Sequence, residues 1–308
     1  MLTWHAGLVG LISSSMNIDK LLKRYRIEHG KHFRLEDHDP ADTHGLKSEL
    51  KPQAKELLAD GVEELSRLQD VFAAQDRWGL LLIFQALDAG GKDGTIKHVM
   101  SGVNPEGVDV WSFKAPTAEE LKHDFLWRTM RCLPGRGQIG IFNRSYYEEV
   151  LIVRVHSQIL QNEKLPKELV TKHIWQERFE DINAFERYLT RNGIAVLKFF
   201  LHVSKPEQKR RFMERLDNPE KNWKFSAADV KERESWDAYQ DAYEDMIRHT
   251  AAKHAPWYVV PADNKWFTRL LVSQVIVDTL KSMNLKYPKV SREEKAALEE
   301  ARQQLDNE

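Results

Sequence analysis

A glycine-rich stretch that contains one lysine is the part of the sequence best suited to chemistry. It follows an apolar segment, Leu80 to Ala86, and precedes a helical pattern that begins near Thr95. A turn of this kind points backbone N–H groups and a helix N-terminus at one place, where the lysine adds a mobile positive charge. We therefore predict that the stretch binds phosphate through Ala89, Gly90, Gly91, Lys92, Asp93, Gly94 and Thr95.

The loop departs from the usual phosphate-loop pattern, G-x-x-x-x-G-K-[ST], at two positions. Ala86 stands where the first glycine belongs, and Asp93 stands where the metal-binding hydroxyl belongs, with Thr95 two residues later. A glycine-rich turn with a surface lysine is therefore an alternative interpretation.

Asp88 lies in the middle of this anion-binding loop, where its charge is unfavourable unless a metal ion or an arginine compensates it. It is a candidate to bind Mg²⁺, directly or through water, or to orient the phosphate acceptor. The alternative is an aspartate that stabilises a turn by accepting a hydrogen bond from its own backbone.

Polar residues also follow a later apolar segment, Gln138 to Phe142, and open parallel sheets bind their ligands at the carboxyl ends of strands. The guanidinium of Arg144 could bridge phosphate oxygens. Glu148 is a candidate to hold a metal-bound water, whereas Glu149 is interpreted as part of a solvated helix start. The predicted catalytic residues are Asp88, Lys92, Asn143, Arg144 and Glu148.

A helix is predicted from Thr117 to Cys132, because Thr117 and Glu120 form a capping-box pattern at its start. Arg128 and Arg131 lie three residues apart in this segment, on one helix face. We expect one of them to face the substrate, and we assign Arg128 to phosphate or nucleotide binding.

A basic helical hairpin, at about 205–249, is predicted to act as a lid over the phosphates. Asn218-Pro219 breaks its first helix, and Ser226 or Asp229 can cap the next. Closing such a lid would expel water and strengthen the charge contacts inside. The alternative is a surface helix pair with Trp223 and Phe225 packed in the core. The lid cations assigned to the anionic substrate are Lys209, Arg210, Arg215, Lys221, Lys224 and Arg233.

Short apolar runs alternate with amphipathic segments along most of the chain. This alternation predicts an α/β fold with a parallel sheet covered by helices on both faces. The predicted strands are Leu80–Ala86, Val108–Phe113, Gln138–Phe142, Ile194–Val203 and Trp257–Val260. The predicted helices, besides the one after Thr117, are Lys51–Ala74, Lys167–Arg191, Lys205–Leu216, Ala227–His249 and Asn264–Met283.

The composition excludes several classes of protein. The single cysteine, Cys132, excludes an intrachain disulfide and a zinc or iron–sulfur site built from cysteines. No apolar run approaches the roughly 18 to 20 residues of a membrane span. The apolar stretch Leu2 to Ser15 also lacks a preceding basic residue, so a cytoplasmic protein without a membrane partner is expected.

The 308 residues carry 46 Lys+Arg and 47 Asp+Glu. A polyanion must therefore be held by a local basic site, and nucleic acid is not an expected partner.

Five motifs together resemble the second family of polyphosphate kinases, over about Tyr25 to Pro288. They are A-x-D-x-x-G-K-D-G-T at 86–95, D-F-L-W-R at 124–128, F-N-R-S-x-Y-E at 142–148, L-D-N-P-x-K-x-W-K-F at 216–225 and A-P-W-Y-V-x-P-A at 255–262.

The resemblance implies a P-loop kinase-like, three-layer α/β/α fold with a helical lid. It also implies transfer of the terminal phosphoryl group of inorganic polyphosphate to a nucleotide, reversibly and with Mg²⁺ or Mn²⁺. Many members of that family carry Asp where this chain has Asn143, and Asn resembles the class that phosphorylates both monophosphates and diphosphates. AMP and ADP are therefore the expected acceptors, GMP and GDP are further candidates, and a homo-oligomer, dimer or tetramer, is expected.

The resemblance also suggests a division of the chain. Residues 1–24 are interpreted as a disordered extension, with a start at Met16 as an alternative, 25–288 as the kinase-like domain, and 289–308 as a polar tail that is helical or frayed. Two other functions stay open: a nucleotide kinase that uses ATP as donor on the same scaffold, and a non-catalytic sensor of nucleotide or polyphosphate.

Overall fold

The computed structural model describes residues 18–308; the predicted extension up to residue 17 and the start at Met16 lie outside them. Six strands form one sheet with the order β1-β6-β5-β2-β4-β3, in which every neighbouring pair is parallel except β1 and β6. The strands are β1 Arg26–Ile27, β2 Gly79–Gln85, β3 Val108–Ser112, β4 Ile139–Asn143, β5 Ile194–His202 and β6 Trp257–Pro261.

Eleven helices surround the sheet in the described part of the chain. They are α1 Ile18–Tyr25, α2 Lys51–Gln75, α3 Lys92–Val99, α4 Trp127–Met130, α5 Ile152–Val155, α6 Ile174–Arg191, α7 Lys205–Asp217, α8 Ala227–Glu232, α9 Trp236–Thr250, α10 Lys265–Ser282 and α11 Arg292–Asp306.

The core consists of two apolar layers, one on each face of the sheet. All seven residues of β2 are buried, and alternate side chains enter opposite layers: Leu80 and Leu82 on one face, Leu81 and Ile83 on the other. Helices α1, α2 and α10 cover the first face, and α6 and α9 cover the second. The predicted three-layer α/β fold is confirmed, and so are all five predicted strands. The central strands were recognisable because strands covered on both faces are apolar throughout, whereas β3 is an exposed strand at the sheet edge.

Three predicted helices differ from the structure. The helix predicted from Lys167 to Arg191 begins only at Ile174, after a short 3-10 turn at Lys167–Leu169. The capping box at Thr117 is present, since its N–H donates to Glu120 Oε2 at 2.7 Å and its hydroxyl accepts from the Glu120 N–H at 3.2 Å. The helix nevertheless stops after one turn, because His123 is extended and Asp124 accepts from the Leu126 N–H to start a new turn. The segment 227–249 is also divided, between α8 and α9, by a short 3-10 turn.

The ends of the chain differ in their burial. Leu21 and Leu22 of α1 are buried in the core, so the packed part of the chain begins before residue 25. Helix α11 is exposed along its whole length and begins with a complete capping box between Ser291 and Glu294. None of the helices within 18–308 is both long enough and apolar enough to cross a membrane.

A buried ion pair connects β5 with α6. Lys198 and Glu186 are both fully buried, and Lys198 Nζ donates to Glu186 Oε2 at 2.6 Å. The same Nζ also donates to Tyr147 Oη at 3.0 Å and to the Thr250 carbonyl at 2.8 Å. With three acceptors the ammonium is fully hydrogen-bonded, which is the condition for burying a charge without a large loss of stability.

Candidate active site

The predicted phosphate loop connects β2 to α3 at the carboxyl end of the sheet. Ala89 and Gly91 have left-handed backbone angles, with φ of 58° and 104°. A side chain on Gly90 would place its Cβ 2.6 Å from Ala86 Cβ and 2.8 Å from the Leu87 carbonyl oxygen, so only glycine fits there. Helix α3 begins at Lys92, three residues earlier than predicted, so its N-terminus lies directly at the loop.

Lys92 is held inside the loop rather than on the surface. Its side chain is buried, and its Nζ donates to the Ala86 carbonyl at 2.7 Å. Burial, helped by the positive charge of Arg144, lowers the pKa of Lys92 to about 8. The alternative of a surface lysine is therefore wrong, and the ammonium is an incompletely compensated cation that lines a cavity.

Asp88 is compensated by an arginine, one of the two conditions that the sequence argument required. Arg144 Nη2 donates to Asp88 Oδ1 at 2.6 Å, and Nη1 donates to Glu148 Oε2 at 3.1 Å. These carboxylates raise the pKa of Arg144, with Glu148 as the larger influence. The arginine itself has a φ of 65°, and its N–H donates to the Phe84 carbonyl at 3.0 Å, so the backbone fixes its position beside the loop.

Asn143 connects the end of β4 with the first turn of α3. Its Nδ2 donates to Asp93 Oδ1 at 2.6 Å. Both residues line the same cavity as Asp88 and Lys92. The four polar residues thus lie around one opening at the carboxyl ends of the two neighbouring strands β2 and β4.

The cavity above the loop has a volume of about 730 Å³ and is predominantly basic. Four carboxylates line it in the described part of the chain: Asp88, Asp93, Glu214 and Asp229. The cationic side chains of this lining are more numerous: Lys92, Lys114, Arg144, Arg211, Arg215, Lys221, Lys224, Lys265 and Arg269. An excess of positive charge in a concave site favours a polyanionic ligand.

Arg211, which sequence reasoning did not select, anchors α7, the first helix of the predicted lid, to the phosphate loop. The guanidinium is buried; its Nη1 donates to the Ala89 carbonyl at 2.9 Å, and its Nη2 donates to the Ala262 carbonyl after β6. Its Nε donates to Glu207 Oε1 at 2.8 Å. No local signal marks it, because Gln208, Arg211 and Phe212 form the buried face of α7 and only Phe212 of the three is apolar.

Lys265 and Arg269 are two further cations that the sequence argument missed. They lie four residues apart at the start of α10, which follows β6, so the strand-end rule applied to β6 would have found them. Burial, followed by the charge of Arg211, lowers the pKa of Lys265, and burial lowers the pKa of Arg269. Among residues 18–308 neither has an acidic partner within 4.0 Å, so both are available to an anion.

The tip of the predicted lid, residues 218–235, carries the exposed aromatic residue of the cavity. Trp223 is 77% exposed and lies in the cavity lining, so the alternative of core packing is wrong for this residue. Phe225 does contact an apolar neighbour, with its ring 6.4 Å from that of Phe212. Two ion pairs connect the tip to α7: Lys221 with Glu214, and Asp229 with Arg215.

Several predicted residues lie outside the cavity lining. Lys209 and Arg210 are exposed, and Arg210 pairs with Glu207 at 2.6 Å. Arg233 donates to Gln208 Oε1 at 2.6 Å. Arg128 is buried, donates to the Lys114 carbonyl at 2.7 Å and stacks over Phe113, so it supports the segment that carries Lys114.

The two glutamates that follow β4 have different surroundings. Glu148 is bound to Arg144 and is not among the lining residues. Glu149 is buried and accepts from Arg178 Nη1 at 3.0 Å, and burial raises its pKa. Our interpretation of Glu149 as a solvated helix start is therefore wrong.

The fold, with a phosphate loop at the strand ends and a basic cavity beneath helices, places the chain among the P-loop-like kinases. Comparison with known proteins gives the family. The family model described as Polyphosphate kinase 2 (PPK2) matches residues 48–288, and the chain belongs to this family.

Two relatives cover nearly the whole chain. The ADP-polyphosphate phosphotransferase of Rhodopseudomonas palustris is 55% identical over 258 residues, which are 83% of this chain and 89% of the relative. The AMP/ADP-polyphosphate phosphotransferase of Meiothermus ruber is 46% identical over 267 residues, 87% of this chain and 96% of the relative. The crystal structure of Polyphosphate Kinase 2 from Arthrobacter aurescens TC1 superposes with a TM-score of 0.81 at 39% identity, over 92% of this chain and 97% of that one.

Proposed function

We propose that this protein transfers the terminal phosphoryl group of inorganic polyphosphate to AMP and ADP. The observation that carries the proposal is the cavity above the phosphate loop, whose lining cations outnumber its carboxylates by more than two to one in the described chain. Polyphosphate is a linear polyanion and requires such a surface. The names of the relatives from R. palustris and M. ruber supply the acceptors.

The residues divide the two substrates between them. Two cations of α10, Lys265 and Arg269, have no acidic partner in the described chain, and the tip cations lie at the surface of the cavity. These residues bind the polyphosphate chain. Lys92 and the loop amides hold the phosphates between which transfer occurs. Arg144, fixed by two carboxylates, contacts the acceptor phosphate beside Asp88.

The reaction needs positioning more than acid–base chemistry. An oxygen of the nucleotide's terminal phosphate attacks the terminal phosphorus of polyphosphate. A new P–O bond forms, and the P–O bond to the next phosphate breaks with its electron pair, so the polyphosphate leaves one unit shorter. The attacking oxygen is already ionised at pH 7, so no general base is required, and alignment with charge neutralisation lowers the barrier.

The donor set fits a magnesium ion bound together with phosphates. Within 18–308 no three His, Cys, Asp or Glu side chains are placed to hold a metal by themselves. Mg²⁺ usually binds to one or two carboxylates plus substrate phosphates. Asp88 and Asp93 line the cavity, and each uses only its Oδ1 for a side-chain hydrogen bond. When bound there, Mg²⁺ or Mn²⁺ would neutralise charge on the transferring phosphates.

A donor and acceptor panel tests the proposal. The purified protein is given polyphosphate as sole donor, with AMP, ADP, GMP or GDP and Mg²⁺, and the products are separated by ion-exchange chromatography. We expect ADP and ATP to form, and GDP and GTP if the guanine nucleotides are also acceptors. Formation of ADP from AMP with ATP but not with polyphosphate would instead identify a nucleotide kinase, and binding without turnover would identify a sensor.

Assembly and location are separate proposals. We propose a homo-oligomer, dimer or tetramer, which light scattering during gel filtration would measure. We also propose a cytoplasmic location, supported by the single cysteine of the chain, and cell fractionation would test it.

A further inference from the structure

The phosphate loop contains a turn whose alanine has an unfavourable backbone conformation. The Gly90 N–H donates to the Leu87 carbonyl at 3.0 Å, so Asp88 and Ala89 are the two central residues of a four-residue turn. Ala89 has a φ of 58°, whereas Asp88 does not have a positive φ. These angles match a type II turn, whose third position favours glycine because a side chain there is strained.

An alanine could relieve this strain if the peptide between Asp88 and Ala89 turned over. A rotation of this peptide by about 180° converts a type II turn to type I, in which alanine has an ordinary negative φ. The C=O and N–H of a trans peptide point in opposite directions, so the rotation would reverse both groups. The orientation of this peptide therefore needs a contact outside the turn to hold it.

Gln208 of α7 makes that contact. The residue is 3% exposed, and its Nε2 donates to the Asp88 carbonyl at 2.9 Å. Its Oε1 accepts from Arg233 Nη1 at 2.6 Å. A guanidinium only donates and a carbonyl only accepts, so one orientation of the Gln208 amide satisfies both neighbours. Arg233 thus fixes Gln208 as a donor to the turn.

The other end of the same peptide is available to a ligand. Ala89 lines the active-site cavity, and within residues 18–308 its N–H donates to no backbone or side-chain acceptor. Because the Asp88 carbonyl points towards Gln208, the Ala89 N–H points away from it. An unpaired backbone N–H at a phosphate loop is a donor for phosphate oxygens.

We propose that Gln208 is a positioning residue for phosphoryl transfer. By binding the Asp88 carbonyl, it holds the peptide in the orientation that presents the Ala89 N–H to the transferring phosphates. Gln208 itself does not line the cavity. Arg211 cannot replace it, because Arg211 binds the Ala89 carbonyl, which belongs to the next peptide. The inference rests on the proposed function and adds to it a residue that acts through the loop backbone.

Steady-state kinetics with polyphosphate and ADP test the proposal. Gln208→Leu removes the donor at similar side-chain size, and we expect kcat to fall about tenfold to a hundredfold, as when a reacting group is misplaced. The KM for polyphosphate should change little, because the cations of the cavity are untouched. Gln304→Leu, the same substitution at an exposed position of α11, is the matched control and should keep the activity of the parent.

A second substitution separates positioning from a general structural role. Glycine adopts the left-handed φ without strain. The double variant Gln208→Leu/Ala89→Gly should therefore recover most of the lost kcat, whereas general damage to α7 would not be repaired by a change in the loop. Gln208→Glu keeps the size of the side chain and the acceptor for Arg233 but loses the donor, so it should be slowed as Gln208→Leu is.

Circular dichroism establishes that the variants are folded. The inference is overturned if folded Gln208→Leu or Gln208→Glu keeps the kcat of the parent, or if the double variant is as slow as Gln208→Leu. An active parent beside an unaffected Gln208 variant overturns this inference alone. A parent that transfers no phosphoryl group from polyphosphate overturns the proposed function, and this inference with it.

Discussion

The guanidinium of Arg144 donates to the carboxylate of Asp88 at 2.6 Å, and the two residues follow the neighbouring parallel strands β4 and β2. The contact crosses the opening of the active site. It holds Asp88 in place and leaves the second carboxylate oxygen of Asp88 without a side-chain hydrogen bond.

Replacing Asp88 with asparagine should therefore impair the proposed Mg²⁺-dependent reaction. Asp88→Asn keeps the size of the side chain but removes the charge, so we expect turnover to fall about 10²- to 10³-fold, as when one electrostatic group of a transition state is lost. The Mg²⁺ concentration for half-maximal rate should rise as well. Asp109→Asn, an exposed carboxylate on β3, is the control. An unchanged magnesium titration in Asp88→Asn would contradict the assignment.

Lys92→Ala should abolish most phosphoryl transfer while the protein stays folded. The variant removes the buried ammonium of the phosphate loop, and a loss of about 10²-fold or more in kcat/KM is expected. Lys97→Ala, on the exposed face of the same helix, should keep full activity. Circular dichroism of both variants establishes that they are folded. Full transfer by folded Lys92→Ala would refute the role of this lysine.

The rate should also depend on pH through Lys92. Its pKa in the free protein is about 8, so the ammonium is charged below that pH and becomes neutral above it. We expect kcat/KM for polyphosphate, which reports the free enzyme, to fall as pH rises through about 8. Bound polyphosphate favours the charged form, so kcat alone should fall only at higher pH. Lys92→Arg stays charged, and an unchanged alkaline fall in an active Lys92→Arg protein would assign it to another group.

The cations of α10 should contribute more to polyphosphate binding than the exposed cations of α7. Lys265→Ala and Arg269→Ala each remove an unpaired charge from the cavity, and we expect the KM for polyphosphate to rise about tenfold in each. Lys209→Ala is the matched control, because this exposed lysine lies outside the lining. The effect should shrink at high salt, where charge contacts are screened. An equal rise in KM in all three variants would indicate attraction by the overall charge of the protein and not binding at specific cations of α10.

The buried pair of Lys198 and Glu186 should be a strong determinant of stability. Glu186→Ala leaves an ammonium buried without its counter-charge, at an expected cost of about 3 to 5 kcal/mol in the free energy of unfolding. Urea unfolding measures it. Glu180→Ala, at an exposed position of the same helix, should change stability little. A double variant, Glu186→Leu/Lys198→Met, should recover much of the loss, and a failure of Glu186→Ala to destabilise would contradict the account.

The sheet was predictable because its central strands are apolar throughout, whereas β1 was not, since Arg26 and Ile27 carry no periodic signal. The helix after Thr117 was wrong for a local reason. A complete capping box predicts where a helix starts but not how long it is, and Asp124 begins a new turn a few residues later.

Within the site, the residues that follow β2 and β4 could be predicted, since loop pattern and strand ends are both local signals. The candidate polyphosphate-binding cations could not be ranked in the same way. Arg210 and Arg211 are neighbours in sequence, yet one is exposed and the other is buried against Ala89, and only tertiary packing decides between them.

The anchoring of Arg211 limits which part of the hairpin can open. Its guanidinium binds carbonyls of both the phosphate loop and the end of β6, so a swing of α7 as a whole would strand a buried charge. We therefore expect any opening of the predicted lid to pivot after α7, near Asn218-Pro219. Substrate entry would then depend on a short flap attached to a fixed helix. Substitutions at that pivot should alter the rate at which a long substrate enters the cavity without changing the rate of the chemical step.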